Sequence, residues 1–185
     1  MNTNFFLMGI LPLLFFVVVD SFFGVKKAAL MTVLAGLAEI GYSLYYFGEI
    51  DQFSIITIIT IILFSAVSYY LNKGIFIKLQ PVLMSFIFGG SLIYSYIIDA
   101  PLLLEFATKY AHLLPEANHE MLSVPFFQNI LRISTLTMGI GILCHGVVTW
   151  IAAIFLSNWW WLAIRGVGFY LFAFVAIFSS RFFIR

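Results

Sequence analysis

Charge is what this chain has least of. Nine lysines and arginines with eight aspartates and glutamates make up 9% of its 185 residues, against the roughly 25% typical of a soluble domain. A surface so poor in charge is expected to face lipid rather than water. The few charges sum to +1 and form no run of either sign, so no basic patch is available to neutralise a phosphate backbone and no nucleic-acid partner is expected. Cysteine is nearly absent as well. Cys144 is the single one, which excludes an intramolecular disulfide and reads as a small buried hydrophobe in an apolar run.

Catalytic signatures are missing: there is no HExxH, no GxSxG, no phosphate-cradling glycine loop and no pair of carboxylates at helical spacing within a span. No second His or Cys stands at a metal-ligand spacing from His145. The expectation is therefore a non-enzymatic protein with no catalytic residue, no metal and no cofactor. The opening "MNTNFFLMGILPLLFFVVVD" lacks the basic start and small-residue cleavage site of a secretory leader, and is read as mature sequence.

What the chain has is apolar length. Hydrophobic residues make up 63% of it, and about 20 consecutive apolar residues suffice for a helix to cross a bilayer. Six segments qualify, near 5–23, 28–47, 53–71, 79–98, 132–156 and 160–182. Pro12 interrupts the first and Asp20 shortens it, so five or six transmembrane helices are expected in one all-α integral membrane domain covering 1–185. In the stretch 101–114, Glu105, Thr108, Lys109 and His112 fall at i, i+3, i+4 and i+7. That narrow polar stripe on an apolar helix predicts an element that lies in the membrane interface or packs its apolar face on the bundle. Pro101 suits its start and Pro115 its end. The stretches 23–36 and 76–89 align without gaps at an offset of 53, a pattern that suggests three helical hairpins.

Within "GIFIKLQPVLMSFIFGG" (74–90) a lysine stands among aromatic and aliphatic residues. Lys78 reads as an interfacial anchor that buries its methylene stem and extends its ammonium to the headgroups. Pro81 is expected in the first turn of the following span, and Ser85 with Gly89 offers a small-xxx-small face for close helix packing. Lys26, Lys27 and Trp161 are further candidate anchors at the interface. Lys26, Lys27, Lys73 and Lys78 favour the loops after the first and third spans as cytoplasmic, since the loop "FGEIDQ" between them carries acids only. Arg181 and Arg185 favour the other sense.

Three residues form a candidate intramembrane polar core. Glu39 falls near the middle of the second span, with Thr32, Ala35, Gly36, Tyr42, Ser43 and Tyr46 near it at helical spacing. A charge at that depth costs on the order of 3 kcal/mol even on the insertion scale, so Glu39 is expected to face inward, as a proton or substrate site or as an interhelical hydrogen bond. His145, near the centre of the fifth span with Ser134, Met138, Gly141 and Thr149 on about the same face, is expected to point inward too. Arg165 follows "NWWW" and reads as a snorkelling anchor, or as a partner for an anionic headgroup or an internal carboxylate.

"ILPLLFFVVVD", "GIFIKLQPVL" and "WLAIRGVGFYLFAF" together resemble the intracellular septation protein A family of small bacterial inner-membrane proteins. The likeness covers nearly the whole chain. Lys78 and Pro81 match the family's central motif, with Gln80 in place of its second lysine. Trp161, Arg165 and Gly168 match the later one, with arginine for lysine, and "CHGVVTW" stands where the family usually has an asparagine. The resemblance implies a multi-pass protein of the bacterial inner membrane that acts in envelope biogenesis and membrane homeostasis. Its expected partners are membrane lipids and other inner-membrane envelope, elongation or division proteins. It implies no catalytic residue. Beside this non-enzymatic reading stands a small transporter or channel for protons, ions or lipid, using Glu39 and His145.

Overall fold

The computed structural model describes residues 11–47, 52–109 and 121–183. Residues 5–10 of the first expected span, Glu49 and Asp51, His112, Pro115 and Arg185 lie outside the described residues. Every regular element among the described residues is helical: α1 (Leu11–Phe23), α2 (Val25–Phe47), α3 (Gln52–Leu71), α4 (Ile75–Ile97), α5 (Leu102–Lys109), α6 (Pro125–Phe155), α7 (Asn158–Ala163) and α8 (Phe169–Ser180). A single π turn, Ile164–Gly168, joins α7 to α8. Among the described residues, Ile75–Ile97, Pro125–Phe155 and Asn158–Phe183 are long and apolar enough to cross a membrane, beside two shorter apolar helices, Pro12–Phe23 and Ile55–Leu71. The chain is an all-α membrane bundle.

Its residues fall into two compact units, Met1–Val82 with Thr149–Gly166 and Leu83–Val148 with Val167–Arg185. In the first, Leu13, Phe16 and Val17 recur at helical spacing along α1 and bury against Ala28 and Ala29 of α2, Ile77, Ala152, Ala153 and Trp161. The two alanines let α2 approach closely, and the turn between the helices needs only one residue. Gly24 supplies it at φ +81°, in the left-handed region that closes a helix at little cost only for glycine. Its amide donates to the Asp20 carbonyl while its own carbonyl accepts from Ala28. Along α3, Ile58, Ile61, Ser65 and Ser68 form the buried stripe, whereas Ile55, Ile56, Ile59, Ile62 and Leu63 are exposed, as a lipid-facing surface requires.

In the second unit, Gly89 of α4 and Gly139 of α6 meet backbone to backbone. A Cβ at either position would lie 2.9 Å from the carbonyl oxygen of the other. Gly141 lies as close to Ala176 of α8. Helix α5 is tied down at its start, where the Leu102 amide donates to Ser95 Oγ at 3.2 Å and the Leu103 amide to Thr135 Oγ1 at 3.3 Å. Its polar stripe points outward, with Glu105, Thr108 and Lys109 exposed.

Several details differ from the sequence expectations. Helix α4 begins at Ile75 rather than 79, because Ser68 Oγ accepts the Ile77 amide at 3.1 Å and so caps a first turn that hydropathy does not reveal. Pro81 therefore lies inside the helix rather than in its first turn. Helix α6 begins at Pro125, seven residues before the apolar run that marks the span. The helix starts of α2 and α4 are 50 residues apart, so the offset of 53 seen in sequence does not superimpose them. Cys144, expected buried, is exposed; the buried position beside it belongs to His145, about 100° round the helix.

Candidate functional site

Two hydrogen bonds between side chains join helices within the first unit. Asp20, in the last turn of α1, accepts a hydrogen bond from Asn158 Nδ2 at 2.7 Å across 138 residues of sequence. Lys78, half-buried in the first turn of α4, lies within electrostatic reach of Asp20. Asn158 holds that carboxylate in place. Further along α4, Gln80 is buried and donates through Nε2 to Thr60 Oγ1 at 3.2 Å. Thr60 in turn donates to the Thr57 carbonyl at 2.7 Å. The relay satisfies the Gln80 amide nitrogen, while Gln80 Oε1 and Thr57 Oγ1 are buried without a hydrogen-bond partner among the described residues.

Glu39 is half-buried on the α2 stripe formed with the buried Thr32 and Gly36. A Cβ at Gly36 would lie 2.6 Å from Ile58 Cδ1 and in ordinary contact with Ile61 of α3, so this stripe faces α3. Lys26 and Lys27 are exposed at the start of α2, with their ammonium groups 5.6 Å from the Tyr69 ring centre and 5.4 Å from that of Phe23. Arg165 is half-buried within the π turn, an irregularity that frequently marks functional sites. Trp161 is fully buried in the core of the first unit, while Trp159 and Trp160 are exposed. Three consecutive tryptophans lie about 100° apart round a helix, so they cannot all share one face.

In the second unit His145 is 3% exposed. Its ring packs edge-on against Phe169 at 5.5 Å and Phe172 at 5.7 Å between centroids. At the far end of α6, Arg132 forms an ion pair with Asp99 and sits 5.8 Å from the centre of the Tyr96 ring. Glu39 and Arg165 belong to the first unit and His145 to the second. Among the described residues no group of three or more His, Cys, Asp or Glu is placed to hold a metal ion.

Asp20, Asn158, Gln80 and the Asp99–Arg132 pair were not singled out from sequence as functional. One signal for Asp20 was present: a lone acid that closes an apolar run.

Comparison with known proteins fits this picture. Residues 5–185 match the family model for intracellular septation protein A. Relatives described as inner membrane-spanning protein YciB are 27% identical over 90 residues in Polynucleobacter asymbioticus, covering 49% of this chain and 50% of that protein. The corresponding figures are 27% over 88 residues in Methylobacillus flagellatus, with 48% and 49% covered, and 24% over 88 residues in Nitrosospira multiformis, with the same coverage. The chain spans about half the length of the curated relatives it matches. No solved structure matches it. With its membrane-length helices, this is a bacterial inner-membrane protein. The match over residues 5–185 shows that the chain belongs to the intracellular septation protein A family.

Proposed function

We propose that this is a non-enzymatic multi-pass protein that supports cell-envelope biogenesis, envelope integrity and membrane homeostasis, linked to division and elongation through contacts with lipids and other inner-membrane proteins. The observation that carries the reading is the match of residues 5–185 to a family described by septation. The manner in which polar side chains are used adds support. Asp20 with Asn158 and Gln80 with Thr60 bond one helix to another within the first unit, which is how a protein that acts by its shape and surface keeps its helices in register.

The test is complementation. Glu39→Gln and His145→Ala variants, expressed to wild-type abundance in a strain deleted for this gene, are expected to restore growth under envelope stress and normal cell length. Loss of rescue at unchanged membrane abundance would overturn the scaffold reading and favour permeation of protons, ions or lipid through a path using these two residues.

A further inference from the structure

The second unit contains an open surface pocket of about 210 Å³ lined by Leu104 of α5 and by Pro125, Gln128, Asn129 and Arg132 of α6. From its position and lining we infer that this pocket holds the phosphodiester headgroup of a membrane phospholipid.

Depth is the first argument. At 31 residues, α6 is about 46 Å long, against about 30 Å of hydrocarbon core. The surplus belongs at the polar end. Its C-terminal portion is the apolar "VVTWIAAIF", whereas its first turns carry Gln128, Asn129 and Arg132. These turns therefore stand at headgroup level, alongside α5 with its outward Glu105, Thr108 and Lys109.

Chemistry is the second. The lining combines one cation and two amides with the apolar Leu104 of α5 and Pro125 of α6. A phosphodiester attached to a glycerol backbone has the same division, one anionic group beside apolar atoms. Arg132 is oriented from outside the pocket, by its bond to Asp99 and by the Tyr96 ring. The Asp99 bond takes one of the five N–H donors that a guanidinium carries, and a planar fork is the side-chain group best matched to phosphate oxygens. At about seven times the ~30 Å³ that a water takes in the liquid, the pocket is large enough for more than a bridging solvent molecule.

This inference deepens the lipid-contact part of the proposed function, and it fails separately from it, because binding is read on purified protein and the septation role in cells. The full chain is purified in detergent and titrated with phosphatidylethanolamine, phosphatidylglycerol, diacylglycerol of the same acyl composition, and inorganic phosphate, with retention read by native mass spectrometry. Both phospholipids are expected to bind and diacylglycerol is not. Arg132→Gln should weaken phospholipid retention by about tenfold or more, the scale of a lost charge-assisted hydrogen bond. Asp99→Asn removes the same ion pair but leaves the cation, so it separates loss of ligand from loss of fold: it should bind as well as wild type or better. Asn129→Ala, at an exposed position, should weaken retention by a smaller factor. Competition by millimolar inorganic phosphate would replace the lipid with a free anion. Equal retention of diacylglycerol, or wild-type binding by Arg132→Gln, would overturn the assignment.

Discussion

Adjacent glycines on one helix offer a controlled measurement of what holds α4 against α6. A Cβ at Gly89 would lie 2.9 Å from the Gly139 carbonyl oxygen and 2.8 Å from Leu143 Cγ, whereas a Cβ at Gly90 meets nothing within 4 Å. Leu143 can change rotamer, but a helical carbonyl cannot turn away. For Gly89→Ala the two backbones must therefore part by about 0.5 Å, from 2.9 Å to the 3.4 Å at which ordinary contact begins. Overpacking of this kind costs about 1–3 kcal/mol. Both substitutions gain the same ~1 kcal/mol of helix propensity, so it cancels between them. Gly90→Ala should leave the protein as stable as wild type or slightly more so, and Gly89→Ala should fall about 1–3 kcal/mol below Gly90→Ala. The measurement is reversible unfolding in mixed micelles, or steric trapping in bicelles, with both variants compared in one lipid composition. Equal stabilities for the two would refute the argument, since they would mean that the helices do not meet at Gly89.

Three further outcomes follow from the first unit. Asn158→Ala removes the bond to Asp20 and should cost about 1–2 kcal/mol, the upper range for interhelical hydrogen bonds in membranes given that one partner is a carboxylate; the same unfolding assay checks it, and no change would show that the contact is idle. Trp161→Ala should cost about 3–5 kcal/mol as a large cavity in the core. Trp161→Phe should cost much less, because the indole Nε1 has no hydrogen-bond partner among the described residues, and only ring size is lost.

The helices were legible in the sequence because the bilayer dictates their length. The run 79–98 predicts a span that the structure extends to Ile75–Ile97, and the stripe of Glu105, Thr108 and Lys109 is present as the outward face of α5. Hydropathy locates the hydrocarbon, however, and not the end of the helix. Residues 125–131 were left outside the span, whose uninterrupted apolar run starts later, yet they form the first turns of α6. The first turn of α4 was missed for another reason: its cap comes from Ser68, nine residues back on another helix.

The contacts within each unit were less legible, and lipid explains why. In water the apolar stripe of a helix announces its buried face, but in a bilayer both faces are apolar and hydrophobicity no longer distinguishes lipid from protein. In this chain Ile58 and Ile61 are buried while Ile59 and Ile62 are exposed, with no difference in residue type between them. Selection among helix partners then falls to atoms that lipid cannot satisfy or volumes that it cannot match. Small residues can be read in advance, as Ser85 and Gly89 were, since the absence of a side chain is visible at one position. A hydrogen bond between Asp20 and Asn158 cannot, since its meaning lies in a pairing 138 residues apart. The same holds for the Leu103 amide and Thr135 Oγ1, separated by 32 residues. A threonine within an apolar run suggests only that it bonds its own helix, as Thr135 also does to the Leu131 carbonyl at 2.9 Å. What the bilayer demands of each helix is thus written locally, while what joins one helix to another is written in pairs, and a single sequence displays the first far more plainly than the second.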